Sequence, residues 1–100
     1  PATTRDMALI LRNAVEAQGA LDFIKGMGQA LIDGVEIFDI HTGPPIPEGN
    51  KSMGLRFTYR SSERSLTDSE VNSIHETVTR EVLKRFNARL PAVRIKKNEK

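Results

Sequence analysis

Apolar and polar residues alternate along three stretches of the chain and recur at three- and four-residue steps along two others. Alternation is typical of a strand with one buried face, and it predicts strands over residues 5–12, 31–42 and 51–60. Steps of three and four are typical of an amphipathic helix, and they predict helices over residues 16–28 and 67–87. Two glycines interrupt the first helical pattern, so the second pattern is the stronger one.

The second helix also has a sequence signal at its start. Residues 67–70, Thr-Asp-Ser-Glu, form a capping box, in which a hydroxyl and a carboxylate each satisfy an orphan backbone N–H. After this helix, the short run 88–90 can supply a last strand, which Pro91 would end. Three prolines in four positions predict a loop over residues 43–50, and the strands on either side of it predict a hairpin.

The second strand has a fault in its alternation. Its apolar residues are odd-numbered up to Ile37 and even-numbered from Phe38 onward. One extra residue, a β-bulge near Ile37, would let the apolar side chains on both sides of it point inward. Asp39 and His41 would then share the outer face of the sheet. The four apolar residues concerned are Val35, Ile37, Phe38 and Ile40.

The predicted order of elements is β-α-β-β-α-β. This order favours an α+β fold of ferredoxin-like type, an antiparallel four-stranded sheet with both helices on one face. We expect one domain over residues 1–90 and a basic C-terminal tail over residues 91–100. The other face of the sheet would be open, with these residues on it: Asp6, Ala8, Asp39, His41, Ser52, Gly54, Arg56 and Thr58.

Composition excludes several classes of protein. In the 100 residues, 38% are hydrophobic, which is enough for one core and argues against intrinsic disorder. The absence of cysteine excludes disulfide scaffolds and thiolate chemistry, and two histidines alone cannot make a metal centre. No apolar run approaches a membrane span. Because the chain begins at Pro1, we expect that it was processed or belongs to something longer.

The net charge of +2 conceals an asymmetry along the chain. Residues 13–50 carry one basic and six acidic side chains, whereas residues 51–100 carry twelve basic ones. A basic half suggests a polyanionic partner. A solvated helix end followed by a basic tail would give the same pattern, because cations also complement the dipole at a helix C-terminus. Charge alone leaves both interpretations open.

Candidate catalytic chemistry is sparse. The chain has no Walker-type phosphate loop, no His/Glu zinc motif and no nucleophile elbow. Asp39 and His41 could form an acid–base pair, but an Asp-x-His spacing is common, and an exposed position at a strand end is the simpler explanation for His41. His75 lies off the apolar stripe of its helix and is expected to be a solvated or half-buried residue.

Binding chemistry has more support. An open sheet face can hold splayed nucleobases if it offers a flat group for stacking, polar groups for base edges and nearby cations. His41 could stack, and Asp39 and Ser52 could meet the Watson–Crick edge of a guanine. The first and third strands carry no outward aromatic residue, unlike an RNA-recognition motif. A small-molecule regulatory module of ACT type and a protein-interaction domain therefore stay open. The candidate cations are Lys51, Arg56 and Arg60.

Three motifs in this order carry a specific resemblance. They are residues 35–41 (Val-Glu-Ile-Phe-Asp-Ile-His), residues 46–52 (Ile-Pro-Glu-Gly-Asn-Lys-Ser) and residues 64–72 (Arg-Ser-Leu-Thr-Asp-Ser-Glu-Val-Asn). With Arg5-Asp6 and Arg85-Phe86, they resemble the ferredoxin-fold anticodon-binding domain that closes the β subunit of bacterial phenylalanyl-tRNA synthetase. The resemblance covers about residues 1–90.

This resemblance implies a role for the outer-face residues. The domain would grip the anticodon of the phenylalanine tRNA while aminoacylation occurs elsewhere in the enzyme. Asp39 would accept from the guanine edge of the first anticodon base, Ser52 would add a hydrogen bond, and His41 would stack. The family most often has Tyr in place of His41 and a basic residue in place of Thr42, so this chain lacks a phenolic hydroxyl and a cation there.

The resemblance also implies the wider assembly. The full enzyme would use ATP and Mg, with no cofactor or metal in this domain and no catalytic residue. Its partners would be the phenylalanine tRNA and the α subunit of an α2β2 heterotetramer. The expected location is the cytoplasm, without membrane attachment.

Overall fold

The computed structural model describes residues 2–91, which form three strands and two helices. All five predicted central elements are present within a few residues of their expected bounds. The elements are β1 (Thr3–Arg12), α1 (Ala17–Gly26), β2 (Ile32–His41), β3 (Asn50–Tyr59) and α2 (Asp68–Phe86).

Strand β3 lies in the centre of the sheet and pairs antiparallel with both neighbours, in the order β1-β3-β2. Alternate residues of β1 and β3 point to one face and are buried there, from Met7 to Leu11 and from Met53 to Tyr59. Because side chains alternate along a strand, the residues between them point to the opposite, outer face. The predicted alternation of β1 and β3 is therefore confirmed.

Both helices pack on the inner face of the sheet and close the core. Ala20 and Ile24 of α1 are buried, as are the apolar positions of α2 from Val71 to Phe86. Phe23 and Phe86 join the two helices edge to face, with ring centroids 5.6 Å apart. Edge-to-face pairs add stabilisation to the burial of their apolar area, so this contact orients the helices on each other.

The start of α2 has the capping box that the sequence predicts. The Thr67 hydroxyl accepts from the Glu70 N–H, and the Glu70 carboxylate accepts from the Thr67 N–H. Arg64 donates twice to the same carboxylate, and this contact lowers the pKa of Glu70 to about 2. Arg5 of β1 reaches the N-terminal part of α2 and donates to the Asn72 amide oxygen at 3.0 Å.

The fourth strand is the main correction to the predicted fold. Among residues 2–91 the sheet has three strands, and the 88–90 segment is reduced to one antiparallel bridge between Ile10 and Arg89. Asn87, which precedes it, is in the left-handed conformation that ends α2. The next hydrogen-bonded position after Arg89 is Pro91, which has no N–H to donate. The predicted basic tail, residues 91–100, lies almost wholly outside the described residues.

The predicted β-bulge is present, but its extra residue points the other way. The register of β2 on β3 shifts between Ile37 and Asp39, so Phe38 is the inserted residue. Ile37 packs against the core as expected. The Phe38 ring instead lies over Gly54 on the outer face, because the inner face is already filled by buried side chains and a glycine leaves room outside. The expectation that Phe38 points inward was wrong.

His75 joins α2 to the sheet. Its Nε2 lies 3.2 Å from the Asp6 backbone carbonyl, which can only accept, so Nε2 carries the proton and Nδ1 accepts from the Tyr59 hydroxyl at 2.7 Å. Burial lowers the pKa of His75, and it raises the pKa of Tyr59 to about 12. His75 is therefore the half-buried helix residue that the sequence led us to expect.

We expect the neutral form of His75 to make folding stability depend on pH. The unfolded chain takes up a proton at this position near pH 6.5, whereas the folded chain does so only at lower pH. The contribution of neutral His75 to the free energy of unfolding is therefore fully present above about pH 6.5. It is lost as the pH falls toward the lowered pKa of His75 in the folded chain. Urea denaturation at several values between pH 7.5 and pH 5 measures this loss.

His75→Gln supplies the control, because its amide can hydrogen-bond but cannot titrate in this range. The variant should lose less stability than the parent chain between pH 6.5 and pH 5, while carboxylate titration affects both alike. Equal losses in the two proteins would show that His75 does not link protonation to folding.

Candidate nucleic-acid interface

The outer face of the sheet is built from rows of residues that pair across the three strands. One row consists of Asp6, Arg56 and Glu36, and the next of Ala8, Gly54 and Asp39. The third row consists of Ile10, Ser52 and His41. Within residues 2–91 both helices lie against the inner face, so this part of the chain leaves the outer side chains available to a ligand.

Three of the predicted site residues meet at one end of this face. His41 lies directly across from Ser52 in the register, and Asp39 precedes it on the same face because the bulge restores the alternation. The His41 Nδ1 and the Asp39 Oδ2 are 3.1 Å apart, and both side chains are about half exposed, 57% and 49% respectively. The second oxygen of the Asp39 carboxylate can accept from a ligand.

The hairpin loop after β2 holds this end of the sheet in place. Ile46 is buried, and the Ile46 N–H donates to the Gly43 carbonyl at 2.9 Å. The Asn13 N–H, just after β1, donates to the Gly49 carbonyl at 3.0 Å. These hydrogen bonds join two parts of the loop to each other and the loop to the residue after β1. They thereby fix the positions of His41 before the loop and Ser52 after it.

Arg56 lies in the middle of the outer face and is engaged by its neighbours. Its Nε and Nη2 donate to the two carboxylate oxygens of Asp6 at 2.9 and 3.0 Å. This bidentate contact lowers the pKa of Asp6 and raises the pKa of Arg56. The guanidinium also lies over the Phe38 ring, with its carbon 4.8 Å from the ring centroid. A phosphate would therefore compete with Asp6 for this cation.

The other two predicted cations do not face a ligand at the Asp39 and Ser52 end of the outer face, although Lys51 directly precedes Ser52 in β3. The Lys51 ammonium donates to the carbonyls of Asn13 and Val15, on the side of the sheet where α1 begins. Arg60 follows the far end of β3, eight residues from Ser52, and pairs with Asp33 at 3.3 Å. Eight residues of strand span about 27 Å, so the structure does not bring Arg60 to this end.

Sequence reasoning missed Phe38, which contributes an aromatic ring to the outer face. The alternation of apolar residues around the bulge predicts that Phe38 points inward, so His41 is the stacking group that the sequence indicates on this face. A signal was present in the sequence: a bulge leaves one residue unpaired, and that residue can face either way. Gly54 on the neighbouring strand was the second clue, since a glycine in a strand often accepts a close approach.

Two negative observations apply to the described part of the chain. Within residues 2–91, no group of three or more His, Asp or Glu side chains could hold a metal ion. No helix in the same range is both long and apolar enough to cross a membrane.

The fold and its open polar face define a small ferredoxin-fold binding domain. A family model for the ferredoxin-fold anticodon binding domain matches residues 1–91, and the chain belongs to this family. It is 40% identical over 90 residues to the phenylalanine–tRNA ligase beta subunit of Syntrophus aciditrophicus and 38% identical over 90 residues to that of Clostridium tetani. Each match covers 90% of this chain but only 11% of the relative.

These comparisons decide between the alternatives that the residues left open. They confirm the predicted family, and they give no support to a regulatory module of ACT type. The chain spans about a ninth of the length of these relatives.

We expect Lys51 to stabilise the fold. Its ammonium satisfies two loop carbonyls, so Lys51→Met should lower the free energy of unfolding by on the order of 1 kcal/mol, the usual net contribution of an intramolecular hydrogen bond. Urea denaturation at pH 7 measures the change. Arg80→Met removes an exposed positive charge from α2 and serves as the control. A Lys51 variant as stable as this control would contradict the assignment.

Proposed function

We propose that this chain is the anticodon-binding domain of a phenylalanyl-tRNA synthetase β subunit and that it recognises the anticodon of the phenylalanine tRNA. The observation that carries the proposal is the meeting of Asp39, His41 and Ser52 at one open end of the outer face. Family membership over residues 1–91 supports it, since the family is defined by anticodon binding.

The chemistry of the three side chains suits a guanine. The N1–H and N2–H groups of guanine are both donors, and a carboxylate such as that of Asp39 is an acceptor with several lone pairs. The contact between His41 and Asp39 holds the carboxylate in place before the base arrives. Ser52, across the strand pair, can add one hydrogen bond to the same base.

His41 has two parts in this proposal. Its imidazole orients Asp39 through Nδ1, and its exposed ring offers a face on which a base can stack. An imidazole is smaller than the phenol that the family most often has at this position, so it offers less stacking area. Asp39 and Ser52 therefore contribute most of the discrimination between bases.

The wider role follows from the same proposal. Aminoacylation with ATP and Mg would occur in other parts of the β subunit or in its α partner, because this chain is about a ninth of its relatives. Residues Asp39, His41 and Ser52 would then act in binding, and none of them in catalysis. An α2β2 assembly and a cytoplasmic location belong to this proposal as well.

We expect Asp39→Ala to weaken binding of a phenylalanine anticodon stem-loop by about 1–3 kcal/mol, the range for the loss of one base-edge contact. The loss should be smaller for stem-loops in which another base replaces the first anticodon guanine, because they do not offer the same two donors. Fluorescence titration at two salt concentrations measures both effects.

Asp33→Ala is the matched control for this titration. It removes the same charge from the same sheet, but it lies near Arg60 at the distant end. If Asp39→Ala and Asp33→Ala weaken binding equally, or if the loss does not depend on the first anticodon base, Asp39 does not read that base. Failure of the parent chain to distinguish matched from mismatched stem-loops would overturn the proposed function itself.

A further inference from the structure

Phe38 has a position that the proposed contacts to a guanine do not explain. Its side chain is 50% exposed, although phenylalanine is among the residues most often buried. It lies on the outer face, in the row next to Ser52 and His41. An aromatic ring that is held out of the core and next to a binding site is a candidate for ligand contact.

The neighbours of Phe38 hold its ring in a defined place. A Cβ atom built on Gly54 would lie 2.8 Å from the Phe38 Cζ, so only a glycine lets the ring settle here. The Arg56 guanidinium lies over the ring, and Asp6 fixes that guanidinium through two hydrogen bonds. The ring is therefore supported by two strands in addition to its own.

The spacing along β3 relates this ring to the guanine site. Gly54, which the Cζ end of the ring approaches, and Ser52 are two residues apart, which is about 6.6 Å along a strand. Stacked neighbours in a nucleic-acid strand lie about 3.4 Å apart, so bases placed at these two positions would be splayed from each other. Splayed bases are the usual target of sequence-specific RNA-binding proteins.

We propose that Phe38 is a second stacking platform, which receives the nucleobase adjacent to the one bound by Asp39 and Ser52. This inference rests on the proposed function. The surroundings favour a base over an apolar protein surface, because Arg56 lies over the ring and the next row of the outer face holds Asp6 and Glu36. Ile40, the other exposed apolar residue of β2, lies opposite the inward-facing Met53 and does not extend the ring into an apolar patch.

The two positions would then divide the task. Asp39 and Ser52 would read the identity of one base through its edge, whereas Phe38 would bind the neighbouring base through its face. Every nucleobase has a π-face, so stacking contributes affinity with little regard to sequence. Arg56, held by Asp6, would act as a positioning residue for the ring.

The test is a double-mutant cycle between the protein and the RNA. The chain and its Phe38→Leu variant are titrated with the phenylalanine anticodon stem-loop and with stem-loops that carry one abasic nucleotide. The abasic nucleotide replaces the first anticodon base, or the base on either side of it. Phe38→Leu should weaken binding of the intact RNA by between about fivefold and a hundredfold, the range for loss of one base stack.

The cycle identifies the partner of Phe38. At one neighbouring position, the abasic RNA should bind the parent chain and Phe38→Leu with nearly the same affinity, because the contact is absent in both. At the first anticodon position, the two changes should be additive. Additive losses at both neighbouring positions, or unchanged binding of the intact RNA by Phe38→Leu, would overturn the inference.

Two further variants separate stacking from folding. Gly54→Ala pushes the ring from its place without altering it and should reproduce the effect of Phe38→Leu. Ile40→Ala removes an exposed apolar side chain from the same strand and should leave RNA affinity unchanged. Thermal unfolding of each variant shows that it is folded. If the loss caused by Asp39→Ala depends on the first anticodon base but the cycle is additive at both neighbouring positions, the role of Phe38 is wrong and the proposed function stands. If the parent chain does not distinguish matched from mismatched stem-loops, the proposed function itself is wrong.

Discussion

The antiparallel pairing of β3 with both of its neighbours is the constraint on which the rest of this structure depends. One face of β3 is sealed by the core, with Met53, Leu55, Phe57 and Tyr59 fully buried. A slip of one residue would expose that whole row, so the register is strongly specified. The same register sets which residues meet on the outer face, where Arg56 faces Asp6, and Ser52 faces His41.

The β-bulge in β2 turns this regular sheet into a candidate binding surface. It returns Asp39 and His41 to the outer face after the apolar run, and it leaves Phe38 outside as well. The feature that disturbs the hydrophobic alternation is therefore the one that collects polar and aromatic groups at one end of the sheet. Bulges often have this effect near functional sites, because they redirect a side chain without breaking the strand.

The cations that the sequence suggested for phosphate contact have other partners in the folded chain. Lys51 holds the loop before α1, Arg56 is bound by Asp6, and Arg60 faces Asp33. An acidic partner lowers the local positive potential, so recognition at this face would depend on base edges and stacking more than on charge. The excess of basic residues in the second half of the chain thus does not by itself locate the site.

Five of the six predicted elements, the inner faces of β1 and β3, the capping box and the candidate trio Asp39, His41 and Ser52 could be read from the sequence, because each depends on local spacing or on alternation. The meeting of Asp39 and His41 followed once a bulge was assumed. Three features emerged only from the folded chain: the direction of Phe38, the partners of Lys51 and Arg56, and the reduction of the last strand to the bridge at Arg89. The first two outcomes depend on residues distant in the chain, namely the space above Gly54, the carbonyls of Asn13 and Val15 and the carboxylate of Asp6. The third follows from the left-handed Asn87 and from Pro91, on either side of the bridge. Alternation predicts which residues share a face of the sheet, but the residues on the neighbouring strands determine which contacts each side chain makes.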